Sequence, residues 1–506
     1  MTLRLGLLVD SLTVPAWVYQ LTERLLALDN VHISLIVDAG NPPSAKTLLD
    51  SYLNLERRLL RGLPNPFAPR DLRALLPDTP VFSPFDIQKI QSQKLDILIG
   101  LCSNDLSRYY KSARLGVWTW NNLTRATGFR EVLEQNPITT CTLSAHLPNG
   151  ETKVLRFAVF ATAWISAARN QNHFYVKTAS TLMWALKKLM LDDGMQSLQT
   201  LHPRSQETSE SKAYKIGFSE ISSLILSQAK RALEKQVRPK RQWVLMAGKS
   251  AGRLVPAWDA LRPIVPPRDV YWADPMAVER AGQLQVLAEE YVYETRRGRI
   301  ACLTLDEQGR VASNQVALER PYHLSYPFTF EHHGETYMIP ETASQRAVEL
   351  YRCAHWPDRW EFVHALMSGI YAVDSTLLNF NGRWWLFTNV KGDAEASSWD
   401  ELHIFHADDP LSTNWTPHPL NPVISDVRVA RPAGPFFTIE GNLYRPSQDC
   451  SQRYGYAVNV NRVDTLTESA YAEILIEKVI PRPPVLVTHT LSRAAGWVLM
   501  DGAQGK

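Results

Sequence analysis

Cysteine is scarce in this chain of 506 residues: Cys102, Cys141, Cys302, Cys353 and Cys450 are scattered and odd in number. No CxxC pair or Cys/His cluster is present, which argues against a zinc site and a disulfide framework. The His332-His333 pair lacks a third ligand in spacing, so no metal is expected. Long apolar runs are also missing. Leu5–Val9 stops at Asp10, too short for a signal-peptide core, and no run of about 18 uncharged apolar residues follows. No integral membrane segment is expected, and the chain reads as soluble and cytoplasmic. Neither sign of charge dominates, with Lys+Arg 54 against Asp+Glu 51 and a formal charge of +3. That balance supplies no field for a polyanion, so nucleic acid is not an expected partner. There is no GxGxxG after a strand, no GxxxxGK[ST], no HExxH and no GxSxG, and no cofactor is expected.

What is present is ordinary globular composition, 45% hydrophobic and 21% charged, in a chain too long for one core. Fifteen Trp and 18 Tyr make a heavy aromatic load, suited to core filling and to stacking on sugar rings. The first half alternates strand and helix signals. Leu3–Val9, His32–Val37 and Leu95–Gly100 read as strands, the last followed by a loop with Asn104 and Asp105. Trp17–Leu28, Ala179–Leu191 and Phe218–Val237 read as helices. This order predicts an α/β domain with a parallel sheet over residues 1–200. A helical and linker segment follows over 201–267, marked by polar 202–212 and by the basic, Pro-broken KQVRPKRQW.

After Val270 the chain is strand-like and aromatic, and five segments align on a Gly turn: Gly282, Gly334, Gly382, Gly441 and Gly496. The period of about 50 residues is that of a four-stranded propeller blade, so 268–502 is predicted to be an all-β five-bladed propeller. Inner strands of a propeller line its axis. The residues at equivalent positions are Asp274, Tyr326, Asp374, Ala433 and His489. A second ring, seven residues after each turn Gly, is Glu289, Glu341, Asn389 and Gln448. Carboxylates gathered from separate blades perturb one another and can hold a general acid or base.

Two resemblances attach to this half. The ADP of blade one and VDSTLLNFNGRWWLF of blade three resemble the furanosidase-type propeller glycosidases. The resemblance implies Asp274 as base or nucleophile and Asp374 as the orienting Asp. The family's acid Glu falls on Ala433, and alanine cannot protonate a leaving group; Glu341 or Glu289 is the substitute. The WADP segment, HLSYPFTFEHHGETYMIPETASQRAVELYR and YRPSQDCSQRYG are more similar to the domain preceding the glycosyltransferase module in plant glucosamine inositolphosphorylceramide transferases. That setting implies sugar transfer onto a glycan or glycolipid. Arg445, Gln448, Asp449 and Tyr454 form a polar and aromatic stretch suited to sugar hydroxyls or a phosphate, or to an internal Arg–Asp pair.

Residues 95–165 resemble the formyltransferase N-terminal domain, carried by LGVWTWNNLTRATGFREVLEQNPITTCTLSAHLPNGETKVL. Gly116, Gly128–Leu133 and Ile138–Ala145 match. Thr119 and Asn121 stand where the family has Asn and His, and Pro148-Asn149-Gly150 where it has Asp. His146 lies outside the motif. The implied scaffold lacks the base that formyl transfer needs. The expectation is therefore a carbohydrate-active transferase of glycan or surface-polysaccharide biosynthesis, with a nucleotide-sugar or glycan substrate. Asp274, Asp374 and Glu341 are the catalytic candidates, and Tyr326, Arg445, Gln448, Asp449, Tyr454 and His489 the binding ones. A glycoside hydrolase, a non-catalytic glycan-binding scaffold and a sugar N-formyltransferase stay open.

Overall fold

The computed structural model describes residues 2–41, 47–60, 62–102, 105–121, 123–191, 216–237, 242–250, 252–392 and 396–505. Asn104, the polar stretch 202–212 and residues 238–241 of the basic run lie outside the described residues. The chain divides into two compact units, Met1–Val237 and Arg238–Lys506.

The first unit is a mixed α/β domain around a seven-stranded sheet. The strand order is Val81–Phe82, Val31–Asp38, Leu3–Val9, Ile97–Gly100, Val117–Trp120, Ile138–His146 and Thr152–Ala161. The first five run parallel, Ile138–His146 is antiparallel to them, and Thr152–Ala161 is antiparallel to Ile138–His146 in turn. Leu3, Leu5 and Leu7 on one face and Leu8 on the other are buried, as expected of a central parallel strand covered on both faces. Helix Leu48–Leu59 starts at a capping box in which Thr47 and Asp50 satisfy each other's backbone N–H groups. Gly116 cannot carry a side chain: a Cβ there would lie 2.0 Å from the His146 carbonyl oxygen. Helix Ala167–Leu191 starts well before the expected Ala179. Its first turns bury Asn170, Gln171 and Asn172, polar residues that mask the helical apolar stripe in sequence.

The second unit is a five-bladed propeller. Blade one is Val270–Arg280, Gln283–Val292, Arg297–Leu305 and Val311–Leu318. Blade two runs through Ser325–His332, Glu335–Glu341, Ala347–His355 and Arg359–Ser368. Blade three is built on Ala372–Phe380, Arg383–Val390 and Glu401–Ala407, with two short strands at its edge. Blade four is Phe437–Ile439, Asn442–Asp449, Ala457–Leu466 and Tyr471–Val479. Blade five joins the two ends of the unit. Leu491–Ala494 and Trp497–Gln504 come from the C-terminus, and Gln242–Lys249 pairs antiparallel with Trp497–Gln504 from the other end. The propeller thus begins at Gln242 rather than at 268, and the segment 201–267 is not a linker throughout. A strand that completes a blade from the far end of the chain falls outside any contiguous repeat.

The five aligned turns share one geometry. Ala281-Gly282, His333-Gly334, Asn381-Gly382, Glu440-Gly441 and Ala495-Gly496 all have positive φ at both positions, between 50° and 79°. These are two-residue hairpins of type I′ character, whose twist matches that of the flanking strands.

Candidate active site

Three blades carry the same irregularity on the innermost strand. The register slips between Ala273 and Met276, between Ser325 and Phe328, and between Val373 and Thr376. At each slip one residue takes a left-handed conformation: Asp274 at φ 51°, Tyr326 at 43° and Asp374 at 53°. Non-glycine residues occupy this region at a cost, and such bulges re-aim side chains at functional sites. All three side chains are buried.

Bonds between blades hold them. The Asp274 N–H donates to Asp501 Oδ2 at 3.0 Å, and Asp274 Oδ1 accepts from the Thr490 hydroxyl at 2.8 Å. Asp274 Oδ2 accepts from the Tyr326 N–H at 3.2 Å. The Tyr326 hydroxyl accepts from the Gly434 N–H at 2.7 Å and shares a hydrogen bond with Thr376 at 2.8 Å, tying blades two, three and four together. Gly434 sits at φ 127°, where a Cβ would lie 2.0 Å from the Leu491 carbonyl oxygen. Only glycine fits there.

Two acid–base pairs face this ring. Arg431 reaches Asp374 with Nε at 2.6 Å and Nη2 at 3.2 Å, and Gln448 donates to the same carboxylate at 2.8 Å. Arg431 Nη2 also lies 3.8 Å from Glu341 Oε2, and its guanidinium stands 4.9 Å over the Tyr454 ring. On blade five, His489 Nδ1 is 2.6 Å from Asp501 Oδ2 and 3.6 Å from Asp274 Oδ1. The imidazole stacks on Trp243 at 4.4 Å and meets Tyr454 edge-on at 5.2 Å. Glu289 accepts from the Tyr271 hydroxyl at 3.3 Å and lies 3.5 Å from His323 Nε2.

The electrostatics separate the acids into roles. Burial pushes Asp274 up to about 6; Asp374 and Asp501 push the same way, while His489 opposes them. Burial holds Glu289 and Glu341 well above the usual carboxylate range, with Asp274 adding to the first and Asp374 to the second. Burial lowers the pKa of His489, but Asp501 and Asp274 outweigh it and raise the imidazole to about 9. Asp274 at about 6 can therefore accept a proton near neutrality, His489 at about 9 is a cation there, and burial makes Glu341 a weaker acid than an ordinary carboxyl. Glu341 keeps 16% of its side-chain surface exposed, so its carboxyl is not sealed off.

The structure thus brings together Asp274, Tyr326, Asp374, Glu341, Gln448, Tyr454 and His489. Arg445 and Asp449 are not part of this set. Arg445 is fully buried, with Nε and Nη2 each 2.7 Å from a Glu473 oxygen and Nη2 also 2.7 Å from the Val429 carbonyl. Asp449 pairs with Lys478 and caps the Ser451 N–H. The internal-pair alternative describes this stretch better, although Arg445 takes Glu473 as partner rather than Asp449. Arg431 is the arginine that meets the acids. It lies before the first strand of blade four, Phe437–Ile439, at a position that does not recur between blades. Asp501 lies on Trp497–Gln504, five residues after Gly496 rather than seven, and Trp243 lies on Gln242–Lys249, the strand that closes the ring.

Asp274, His489 and Asp501 each offer a ligand atom, all within 4.8 Å of one another, and could hold a cation. His489 and Asp501 are already paired with each other, and the Asp274 oxygens accept from Thr490 and Tyr326. In the N-terminal unit, Thr119 donates to the Gly100 carbonyl at 3.2 Å, and Asn121 Oδ1 accepts from the Thr142 N–H at 2.8 Å. His146 bonds Thr152 at 2.9 Å and stacks on Tyr110.

Residues 266–484 match the family described as glucosamine inositolphosphorylceramide transferase 1, N-terminal. Two curated relatives, both named glucosamine inositolphosphorylceramide transferase 1, come from Oryza sativa subsp. japonica and Arabidopsis thaliana. They are 34% and 31% identical to this chain over 207 residues, which is 40% of this chain and 27% of each relative. The chain thus spans about a quarter of the length of the curated relatives it matches. Among solved structures, the CoXyl43 β-xylosidase/α-arabinofuranosidase from a compost metagenome is 14% identical with a TM-score of 0.36, covering 46% of this chain and 84% of its own. Zg3597, a family 117 glycoside hydrolase of Zobellia galactanivorans, is 11% identical with a TM-score of 0.35, covering 52% and 90%.

Proposed function

We propose that the propeller axis is a carbohydrate-active site and that the chain serves glycan or surface-polysaccharide biosynthesis by transferring a sugar from an activated donor. The observation that carries this reading is the convergence of Asp274, Glu341 and Asp374 from three blades, with Asp274 at about 6 beside the His489 cation. The transferase names of the relatives support the setting. A carboxylate poised near the working pH suits a general base. Asp274 takes the proton of an acceptor hydroxyl as that oxygen forms its bond to the anomeric carbon. The bond from that carbon to the donor phosphate breaks, and the phosphate leaves without needing a protonated acid. Arg431 and Gln448 fix Asp374 beside the reaction, while Tyr454 and His489 present an aromatic face and a cation to the sugar.

Glu341, raised and partly exposed, favours a second reading as the acid of a glycoside hydrolase. The N-terminal unit we read as a formyltransferase-like scaffold without formyl transfer, because the Asn121 amide is engaged with Thr142 and offers no base. The test is incubation with a panel of nucleotide-sugars and glycan acceptors, followed by mass spectrometry, beside an assay of aryl furanoside hydrolysis. Transfer that survives Glu341→Gln supports the first reading. Hydrolysis that is lost in Glu341→Gln supports the second. No turnover of either kind would contradict both.

A further inference from the structure

Among the described residues of the N-terminal unit, two helices leave apolar side chains exposed on their outer faces. Helices Leu48–Leu59 and Phe218–Val237 lie side by side, joined through Gln228, which accepts from the Tyr52 hydroxyl at 3.0 Å and donates to Glu56 at 3.1 Å. Both helices already bury one apolar face: Leu49, Leu53, Ile221 and Leu224 share a core with Phe129 and Val132. A surface helix needs one such stripe, and the opposite face is ordinarily polar. Here it is not. Leu59 is 74% exposed, Leu226 71%, Phe218 77% and Leu233 63%, and Leu55 and Ile225 join them. Leu55 and Leu59 are four apart, and Leu226 and Leu233 seven apart, so each set lies on one side of its helix.

Among the described side chains, the exposed charges on these faces are basic. Among the described side chains, every exposed position of the two helices is apolar, hydroxylated or basic, the charged ones being Arg58 and Lys230. The sequence then continues through Glu234, Lys235, Arg238, Lys240 and Arg241, one acid against four bases. Apolar side chains bordered by cations are the chemistry of a helix lying in the headgroup region of an anionic bilayer. Among the described residues no helix is long and apolar enough to cross a membrane, and the contact considered is a peripheral one. We propose that the N-terminal unit docks on anionic lipid bilayers through the outer faces of these two helices. This inference is independent of the sugar-transfer reading.

The test is flotation of the full chain with vesicles of phosphatidylcholine alone and of phosphatidylcholine mixed with phosphatidylserine. The chain should float with the anionic vesicles roughly tenfold more than with the neutral ones, and less so as salt rises. The double variant Leu59→Ser, Leu226→Ser should lose this binding at unchanged melting temperature, because both side chains are exposed. Arg58→Glu with Lys230→Glu should weaken it without touching the apolar stripe. Equal recovery with both vesicle types, or binding indifferent to all four substitutions, overturns the proposal. So does light scattering that shows a dimer broken by the leucine variant, since the face would then belong to a second copy.

Discussion

Replacing Asp501 with asparagine probes how the axis is built. Asp501 Oδ2 lies 2.6 Å from His489 Nδ1 and 3.0 Å from the Asp274 N–H. Its Oδ1 accepts from the N–H groups of His489 at 2.9 Å and Thr490 at 3.1 Å. Asparagine has the same shape and opens no cavity. Its oxygen can keep the Oδ1 bonds, but its amide group then turns a donor toward two donors. Raising His489 from its ordinary value to about 9 corresponds to about 3 kcal/mol of differential stabilisation. Breaking one side of a buried ion pair costs about 3–5 kcal/mol, so a loss in that range is expected.

The pH dependence has a fixed sign. A histidine raised on folding contributes fully below its ordinary pKa and loses that contribution as pH rises through the folded value. The gap between wild type and variant should therefore be wide below roughly pH 6.5 and narrow as pH passes about 9. Asp501 is lowered because His489 outweighs burial, so its own share is lost only in acid, as pH falls through its depressed value. Denaturant unfolding at several pH values reads the gap, and NMR of the His489 ring reads the proton. A loss under about 1 kcal/mol near neutrality, or a gap that ignores pH, would refute this construction of the site.

Arg431→Met should destabilise the propeller by about 3–5 kcal/mol, because it strands the buried Asp374 carboxylate; denaturant unfolding measures it. The pH profile of kcat/KM for sugar transfer should be bell-shaped. Its acid limb should lie near 6, where Asp274 loses its proton, and its alkaline limb near 9, where His489 does. A chain beginning at Arg268 should not form a closed propeller, since it lacks the Gln242–Lys249 strand; melting it beside the full chain should show the propeller's cooperative transition only in the latter.

The propeller was legible in sequence because each blade repeats the same two-residue turn. A glycine with positive φ leaves a mark that survives divergence of the strands around it. The axis was legible for the same reason, since Asp274, Tyr326 and Asp374 share both repeat position and backbone conformation. Arg431 and Asp501 were not, because they reach the axis from positions that do not recur between blades. Arg445 shows the converse. An arginine beside polar and aromatic neighbours reads as a ligand group, but strand alternation turned it toward Glu473 inside blade four. Blade five needed the least local information of all, a strand supplied from the other end of the unit. The mixed α/β sheet of the first unit was visible as alternating strands and helices. The early turns of its longest helix were hidden by buried amides.

The most direct measurement is made on Asp274→Asn in the intact chain, with sugar-transfer turnover and melting temperature determined side by side. If Asp274 is the base, turnover should fall by roughly a hundredfold or more. The melting temperature should move by no more than about 4 °C, because a neutral amide of the same shape replaces a carboxyl whose ionised form burial already disfavours. Asp274 also holds the Tyr326 N–H and the Thr490 hydroxyl. A variant that melts far lower yet still turns over its substrate would show that those bonds are its whole purpose, and would contradict the assignment of a base to this residue.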